Sequence, residues 1–401
     1  MSAVKTWPAH ALASVLLLSM GLATAQAATL RDAFEHAWSV QAPAQYAQNQ
    51  RYSAQFLASQ AWTPEPPTLG LSHTSDQLNA NTGRREWELA LSTPIWLYGQ
   101  RERAVQVAHT EQAAFAGASR LAQLALAGAL REAWWDVRAA ELEVELAQNQ
   151  VNAEQALAVD VKQRLKAGDL APSDARQSHI GVLQAKKNLG MAQLTLQRAQ
   201  QSFTLLSRGA ALPASAEVET ETEAAGAHPL LASLGLTANS AQAKLQQAAG
   251  DTPNAPEIGL SYTVEKDASD AAYRGRIKLG FQIPLGAQSR NLPRIAAANA
   301  ELIQAQLELE QQVTSIASGL KIAQSALIQS RAELDIAAEQ RQLSAEQAQS
   351  IDKGYRLGQF DLTTQLKSQQ AQLAAQSEYA RARLAVNRAI SRLNQAAGIL
   401  P

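Results

Sequence analysis

"RGRIKLGFQIPLG", residues 274–286, alternates in side-chain character along its length. Ile277, Leu279, Phe281 and Ile283 fall on one side; Arg276, Lys278, Gly280 and Gln282 fall on the other. That is the period-two pattern of a β-strand with one apolar and one polar face. Its surroundings read differently. The chain is rich in Ala, Gln, Leu and Glu, with long stretches free of proline, a composition that predicts long helices. A second strand island, "RREWELALSTPIW" (84–96), lies about 190 residues earlier.

The two islands belong to a repeat. "PTLGLSH" (67–73) is similar to "PEIGLSY" (256–262), and "RLKAGDLAPSD" (164–174) to "GYRLGQFDLTT" (354–364), again at an offset of about 190. The predicted organisation is a first repeat over 28–209, a linker over 210–227 and a second repeat over 228–401. Each repeat holds a helix, a hairpin (67–96; 256–284), a long helix (100–166; 294–356), a tip turn (167–172; 357–362) and a shorter helix (172–207; 362–397). The helices that precede the hairpins are predicted over 43–62 and 228–250, placed to stack on the ends of the shorter helices.

Proline is absent between Pro94 and Pro172 and between Pro293 and Pro401. Proline costs a helix interior about 3 kcal/mol, so its absence permits uninterrupted helices of roughly 100 Å. Leu130, Val137, Val144 and Val151 recur in heptads, interleaved with Ala133, Ala140 and Ala147. Val313, Leu320, Leu327 and Leu334 repeat the pattern, interleaved with Ile316, Ala323, Ser330 and Ala337. A sustained seven-residue repeat predicts left-handed supercoiling against neighbours.

The strand candidates are 67–74, 86–96, 256–265 and 274–284. Their apolar face carries Leu69, Leu71, Trp87, Leu89, Leu91, Ile95, Ile258, Leu260, Tyr262, Val264, Ile277, Leu279, Phe281 and Ile283. The polar face includes Glu86, Glu88, Arg276 and Lys278. Strands of about ten residues can cross a bilayer at a tilt, but no open sheet edge survives there. A spanning barrel therefore needs other copies of the chain. Two copies supply eight strands around a side-chain-filled interior; three supply twelve around a lumen. Trp62, Trp96 and Tyr98 sit beyond strand ends, where interfacial aromatics belong. A small soluble sheet packed on helices carries the same alternation.

A net charge of −1 supplies no strong field for nucleic acid or anionic lipid. With no cysteine there is no disulfide, thiolate metal site or lipid-bearing N-terminal Cys. Lys5, the apolar run "ALASVLLLSMGLA" and "AQA" at 25–27 read as a cleaved signal peptide over 1–27. No later segment reads as a spanning helix. His36, His73, His109, His179 and His228 are scattered, with no i,i+4 pair, so no metal site is expected. No phosphate loop, nucleophile elbow, cofactor site or catalytic residue is identified, and the chain reads as no enzyme.

These features together resemble the TolC-like outer-membrane efflux family over essentially the whole mature chain. "TLRDAFEHAWSVQAPAQYAQNQ" (29–50), "STPIWLYGQRERAVQVA" (92–108), "RLKAGDLAPSDARQSHIGVLQAKKNL" (164–189) and "YRLGQFDLTTQLKSQQAQL" (355–373) carry the resemblance. It implies a mainly α fold with a small transmembrane β part. Its two tandem repeats of coiled-coil helices plus a hairpin would trimerise into a 12-stranded barrel on an α-helical tunnel. It implies a passive conduit in the outer membrane extending into the periplasm, with no nucleic-acid partner. The partners implied are two further copies, outer-membrane lipid, a periplasmic adaptor and an inner-membrane pump of the resistance-nodulation-division type. The wording around the tips is similar to the branch that exports heavy-metal cations.

Site residues follow from the same resemblance. Lys166, Gly168, Asp169, Leu170, Arg356, Gly358, Gln359 and Phe360 would dock the adaptor. Asp174, Thr364 and Lys367 would form the tunnel constriction, and Glu86, Glu88, Arg276 and Lys278 would line the lumen. Glycine at a helix end permits a left-handed cap after the basic last turns at Lys166 and Arg356, with Ser173 or Thr363 capping the returning helix. The family's best-known members carry acids at the start of the returning helix; Thr364 and Lys367 depart from this, which predicts a mixed constriction. The alternatives are a soluble periplasmic coiled-coil adaptor or scaffold, and a signal-anchored structural coiled coil.

Overall fold

A computed structural model describes residues 28–401 except 77, 78, 80–82, 169, 221–227, 252–254, 269 and 286. The expected signal peptide lies outside the described residues. In chain order the elements are α1 (Leu30–Ser59), β1 (Thr68–Ser75), β2 (Arg85–Pro94), α2 (Gln100–Ala167), α3 (Pro172–Leu206), α4 (Pro229–Gly250), β3 (Glu257–Lys266), β4 (Arg274–Gln282), α5 (Ala287–Arg356) and α6 (Leu362–Ala396).

α1 starts thirteen residues before the expected position 43 and runs through Pro43. Its start is set by a capping box. Thr29 Oγ1 accepts from the Asp32 amide at 3.2 Å, and Asp32 Oδ2 accepts from the Thr29 amide at 2.8 Å. The first turns then bury Leu30, Ala33, Phe34 and Ala37 against Leu126, Leu130, Trp134 and Phe203. That packing outweighs the one backbone hydrogen bond Pro43 removes. α5 likewise begins at Ala287 rather than 294, with Pro293 inside its early turns. There a missing amide costs least, because the first turn has no intrahelical acceptors to lose.

α2 pairs along its tip-side half with α3, and α5 with α6. The cluster of Leu30, Phe34 and Phe203 places the start of α1 at the end of α3. α4 packs on both long helices, and the His228 ring at its start lies against Gly398, just past the end of α6. Each long helix thus faces two shorter ones stacked end to end. One stretch of α2 is apolar enough, by length and composition, to cross a membrane, contrary to expectation. Its alanines raise the hydropathy, and Leu126, Ala127 and Leu130 there pack on α1.

The two heptad seams differ in tightness. Leu130 and Val137 are fully buried and Val151 nearly so, whereas on α5 Leu327 and Ala337 are buried but Val313 is exposed. α5 also displays Ile322, Ile336 and Leu343, and α3 displays Ile180, Leu183, Met191 and Leu194, none covered by the chain itself.

The strands form one antiparallel sheet in the order β1-β2-β3-β4, so the two repeats meet at β2–β3. The register aligns Leu69, Leu91, Leu260 and Leu279 in one row and Leu71, Leu89, Tyr262 and Ile277 in the next.

Candidate functional site

The sheet's apolar rows are open to solvent: Leu71 is 70 % exposed, Ile277 72 % and Leu279 62 %. The strands' main contacts are with one another, and no helix covers this face. A soluble sheet would bury such rows. Aromatics bracket them. Trp87 stacks on His73 at 4.1 Å near the hairpin loops, with Tyr273 beyond it. Trp62, Trp96 and Tyr98 gather at the helical end, where Trp96 Nε1 donates to the Ala61 carbonyl at 3.0 Å. Trp87 and Trp96 are separated by roughly 30 Å of strand, or about 21–25 Å of height at barrel tilt, matching the apolar band of outer-membrane barrels.

The opposite face carries charge. Glu86 and Glu265 are direct cross-strand partners, which alone would repel. Arg84 bridges them, 3.0 Å from Glu86 and 2.6 Å from Glu265, and Arg276 also pairs with Glu265. Glu86 and Arg276 are thereby brought into one network. Glu88 lies opposite Ser72 and Thr263, and Lys278 opposite Ser261; neither forms an ion pair among the described residues. Glu265 and Arg84 were missed from sequence, although Glu265 shares the parity of Ser261 and Thr263 on β3.

At the tips, α2 ends at Gly168 with φ +85° and α5 at Gly358 with φ +76°, both left-handed caps. After α5 the Gln359 amide donates to Gly354 O at 2.8 Å, and the Phe360 ring folds back over Gly354. Leu357 and Phe360 remain exposed, Leu170 is half-buried, and Lys166 and Gln359 face solvent. Arg356 pairs with Asp352 at 2.9 Å. Asp169 lies outside the described residues. Arg164 lies over the Tyr355 ring at 4.1 Å, tying α2 to α5 near both tips.

The returning helices are not capped by Ser173 and Thr363. α3 has Pro172 at its first position, and Asp174 reaches back to accept from the Ala171 amide at 3.1 Å. α6 is capped by Asp361, which accepts from the Thr364 amide at 2.9 Å. That bond holds the Asp361 carboxyl below its ordinary range. The Ala171–Asp174 and Asp361–Thr364 spacings are the helix-start signals in the sequence. Asp174 and Thr364 are therefore half-buried in helix starts, while Lys367 is exposed.

Between tips and sheet, α2 and α6 are joined by an antiparallel row of ion pairs. Glu132 accepts from Arg392 at 2.8 Å and also from Arg388, Asp136 pairs with Arg388 at 2.9 Å, and Glu143 pairs with Arg381 at 2.7 and 2.9 Å. The Arg392 hydrogen bond, with Arg388 beside it, holds the Glu132 carboxyl down at about 2. The linker is fastened alongside: Trp134 Nε1 donates to Pro213 O at 2.9 Å, and Asn394 Nδ2 to Val218 O at 2.9 Å.

No family model matches the chain. Over 308 residues it is 26 % identical to the cobalt-zinc-cadmium resistance protein CzcC of Cupriavidus metallidurans, spanning 72 % of this chain and 71 % of that one. Among solved structures, the outer membrane protein VceC of Vibrio cholerae aligns with TM-score 0.75 and 14 % identity, over 92 % of this chain and 96 % of that one. CusC, whose structures concern transmembrane channel formation, aligns at 0.74 and 15 % over 92 % of both chains. The open MtrE outer membrane channel of Neisseria gonorrhoeae aligns at 0.74 and 16 %, over 92 % and 89 %. Helices, tips and sheet are thus one shared fold.

Proposed function

We propose that this chain, which has the TolC-like outer-membrane channel fold, is the outer-membrane conduit of a tripartite efflux system. The carrying observation is the sheet: its own chain leaves one face apolar and uncovered while the other holds the Arg84–Glu86–Glu265–Arg276 network. Lipid on the first face and water on the second account for both. The free edges of β1 and β4 call for further strands, since a bilayer tolerates no open edge. Three copies supply twelve. The uncovered stripes on α3 and α5 give those copies helical faces on which to meet. A soluble adaptor explains none of these surfaces.

In this reading the tips at Gly168 and Gly358 dock a periplasmic adaptor linked to an inner-membrane pump of the resistance-nodulation-division type. Asp174, Thr364 and Lys367 set the constriction, and Glu86, Glu88, Arg276 and Lys278 line the lumen. The likeness to a cobalt-zinc-cadmium resistance protein favours divalent metal cations as cargo. The deciding measurement is the native mass of protein extracted by detergent from purified outer membranes. A three-chain particle is expected; a monomer in the soluble periplasmic fraction overturns the reading.

A further inference from the structure

α5 and α6 do not close on each other everywhere. Toward the tip they leave a groove of about 1320 Å³, lined by Glu346, Gln349 and Asp352 from α5 and by Gln365, Ser368 and Gln372 from α6. The corresponding stretch of α2 and α3 closes with Val161, Val182 and Ala185, all buried. Apolar knobs fill a coiled-coil seam. Here glutamine stands in their place, and the seam stays open.

The groove holds polar atoms that lack partners among the described residues. Ser368 is 8 % exposed, and its Oγ has no hydrogen bond. Gln365 Oε1 is also buried and unpartnered. Its orientation is fixed, because Gln365 Nε2 donates to Asp352 Oδ1 at 3.1 Å. Buried polar atoms are almost always satisfied, so these two describe an absent ligand that donates hydrogen bonds. Charge points the same way. The lining includes three carboxylates, Glu339, Glu346 and Asp352, against one guanidinium, Arg341, which is stacked on Tyr379 at 3.9 Å. Such a surface selects cations.

Direct chelation does not fit. Among the described residues there is no group of three or more His, Cys, Asp or Glu able to hold a metal ion. Amide and hydroxyl oxygens suit the coordinated waters of a cation instead. A cation with six waters occupies roughly 200 Å³, at about 30 Å³ per water, so the groove has room for it.

We propose that the α5–α6 groove is an outer-sphere site for hydrated divalent cations, held through their waters by Glu346, Gln365 and Ser368. This rests on the efflux reading for its purpose, but not for its binding. A site that never dehydrates the ion releases it readily, as a conduit requires.

The test is a crystal structure of the full chain with hexamminecobalt(III), an inert mimic of a hydrated cation, the cobalt being located by anomalous scattering. Cobalt is expected in the groove, about 5 Å from the Glu346 and Gln365 oxygens, the sum of a metal–ligand bond and a hydrogen bond. It should be lost in the Glu339→Gln/Glu346→Gln double variant while the fold is retained. An empty groove, or an unchanged peak in the double variant, overturns the proposal. So does a parallel zinc soak that fills the groove where hexamminecobalt does not, since that means direct ligation. Cobalt bound in the groove of a chain that fractionates as a soluble monomer would keep the site and sink the efflux reading.

Discussion

Arg131 of α2 closes a two-pronged ion pair on Glu217 of the linker, with Nε and Nη2 each 2.8 Å from a carboxylate oxygen. Arg131 is 2 % exposed and also donates to the Ile399 carbonyl at 2.9 Å. One side chain therefore holds the middle of α2, the linker and the C-terminal segment together. Removing one member of a buried pair costs about 3–5 kcal/mol, because the other charge is stranded. Arg131→Ala is expected to lower the thermal midpoint of the detergent-solubilised protein sharply. Arg131→Met with Glu217→Leu should recover much of the loss, and a double variant as unstable as the single would show that the pair itself matters little.

The ion pairs between α2 and α6 predict acid sensitivity. The folded state holds Glu132 at about 2, chiefly through Arg392, below the ordinary carboxylate value of 4.5. A depressed carboxylate stabilises the fold fully above its unfolded value, and the contribution fades as pH falls. The window here runs from pH 4.5 down to about 2. Glu143, held low by Arg381, acts in the same direction. Both sites are substantially exposed, so salt should weaken the effect. Glu132→Gln should flatten the acid limb of a stability profile; an unchanged limb would assign acid loss to other groups.

These ion pairs also mark where sequence reading ran out. The strands, seams and tip glycines were legible because period two, period seven and a left-handed cap are local patterns. Leu69, Leu91, Leu260 and Leu279 were readable as outward residues, but only the register shows that they form one row. Glu132 and Arg392 are far apart in sequence, and nothing local pairs them. Arg84 was hidden in a loop, and Pro43 was taken for a helix boundary because the burial of Phe34 that overrides it is tertiary.

Leu89 lies between Leu71 and Tyr262 in an apolar row midway along the sheet. If that face meets lipid, Leu89→Lys should cost about 2–4 kcal/mol near the bilayer midplane. The expected result is loss of assembled protein from the outer membrane fraction. Lys278→Ser on the other face should leave assembly near normal. Equal tolerance of both substitutions would contradict a lipid-facing row.

The tip glycines separate geometry from docking. A Cβ on Gly168 or Gly358 meets nothing within 4 Å, so Gly168→Ala and Gly358→Ala cost only left-handed backbone strain, about 1–2 kcal/mol each. Gly354 differs: a Cβ there falls 2.5 Å from the Phe360 ring. Gly354→Ala should displace Phe360 with little effect on the rest of the molecule. If Phe360 contacts an adaptor, crosslinking to that partner falls in Gly354→Ala while trimer yield holds. Unchanged crosslinking would remove Phe360 from the docking surface.

Lys367 tests the constriction. It is exposed one turn into α6, and with Asp361 it sets the charge at that helix start. Asp174 spends its carboxylate on the Ala171 amide but keeps its charge, so the two returning helices carry opposite signs near their starts. Lys367→Asp shifts a three-chain mouth by about six charges, a large change within a Debye length of about 8 Å at physiological salt. Cation over anion permeability in planar bilayers should rise clearly, and more at low salt than at high. If selectivity and conductance stay the same at both ionic strengths, Lys367 is an ordinary solvated helix residue and the tunnel narrows elsewhere.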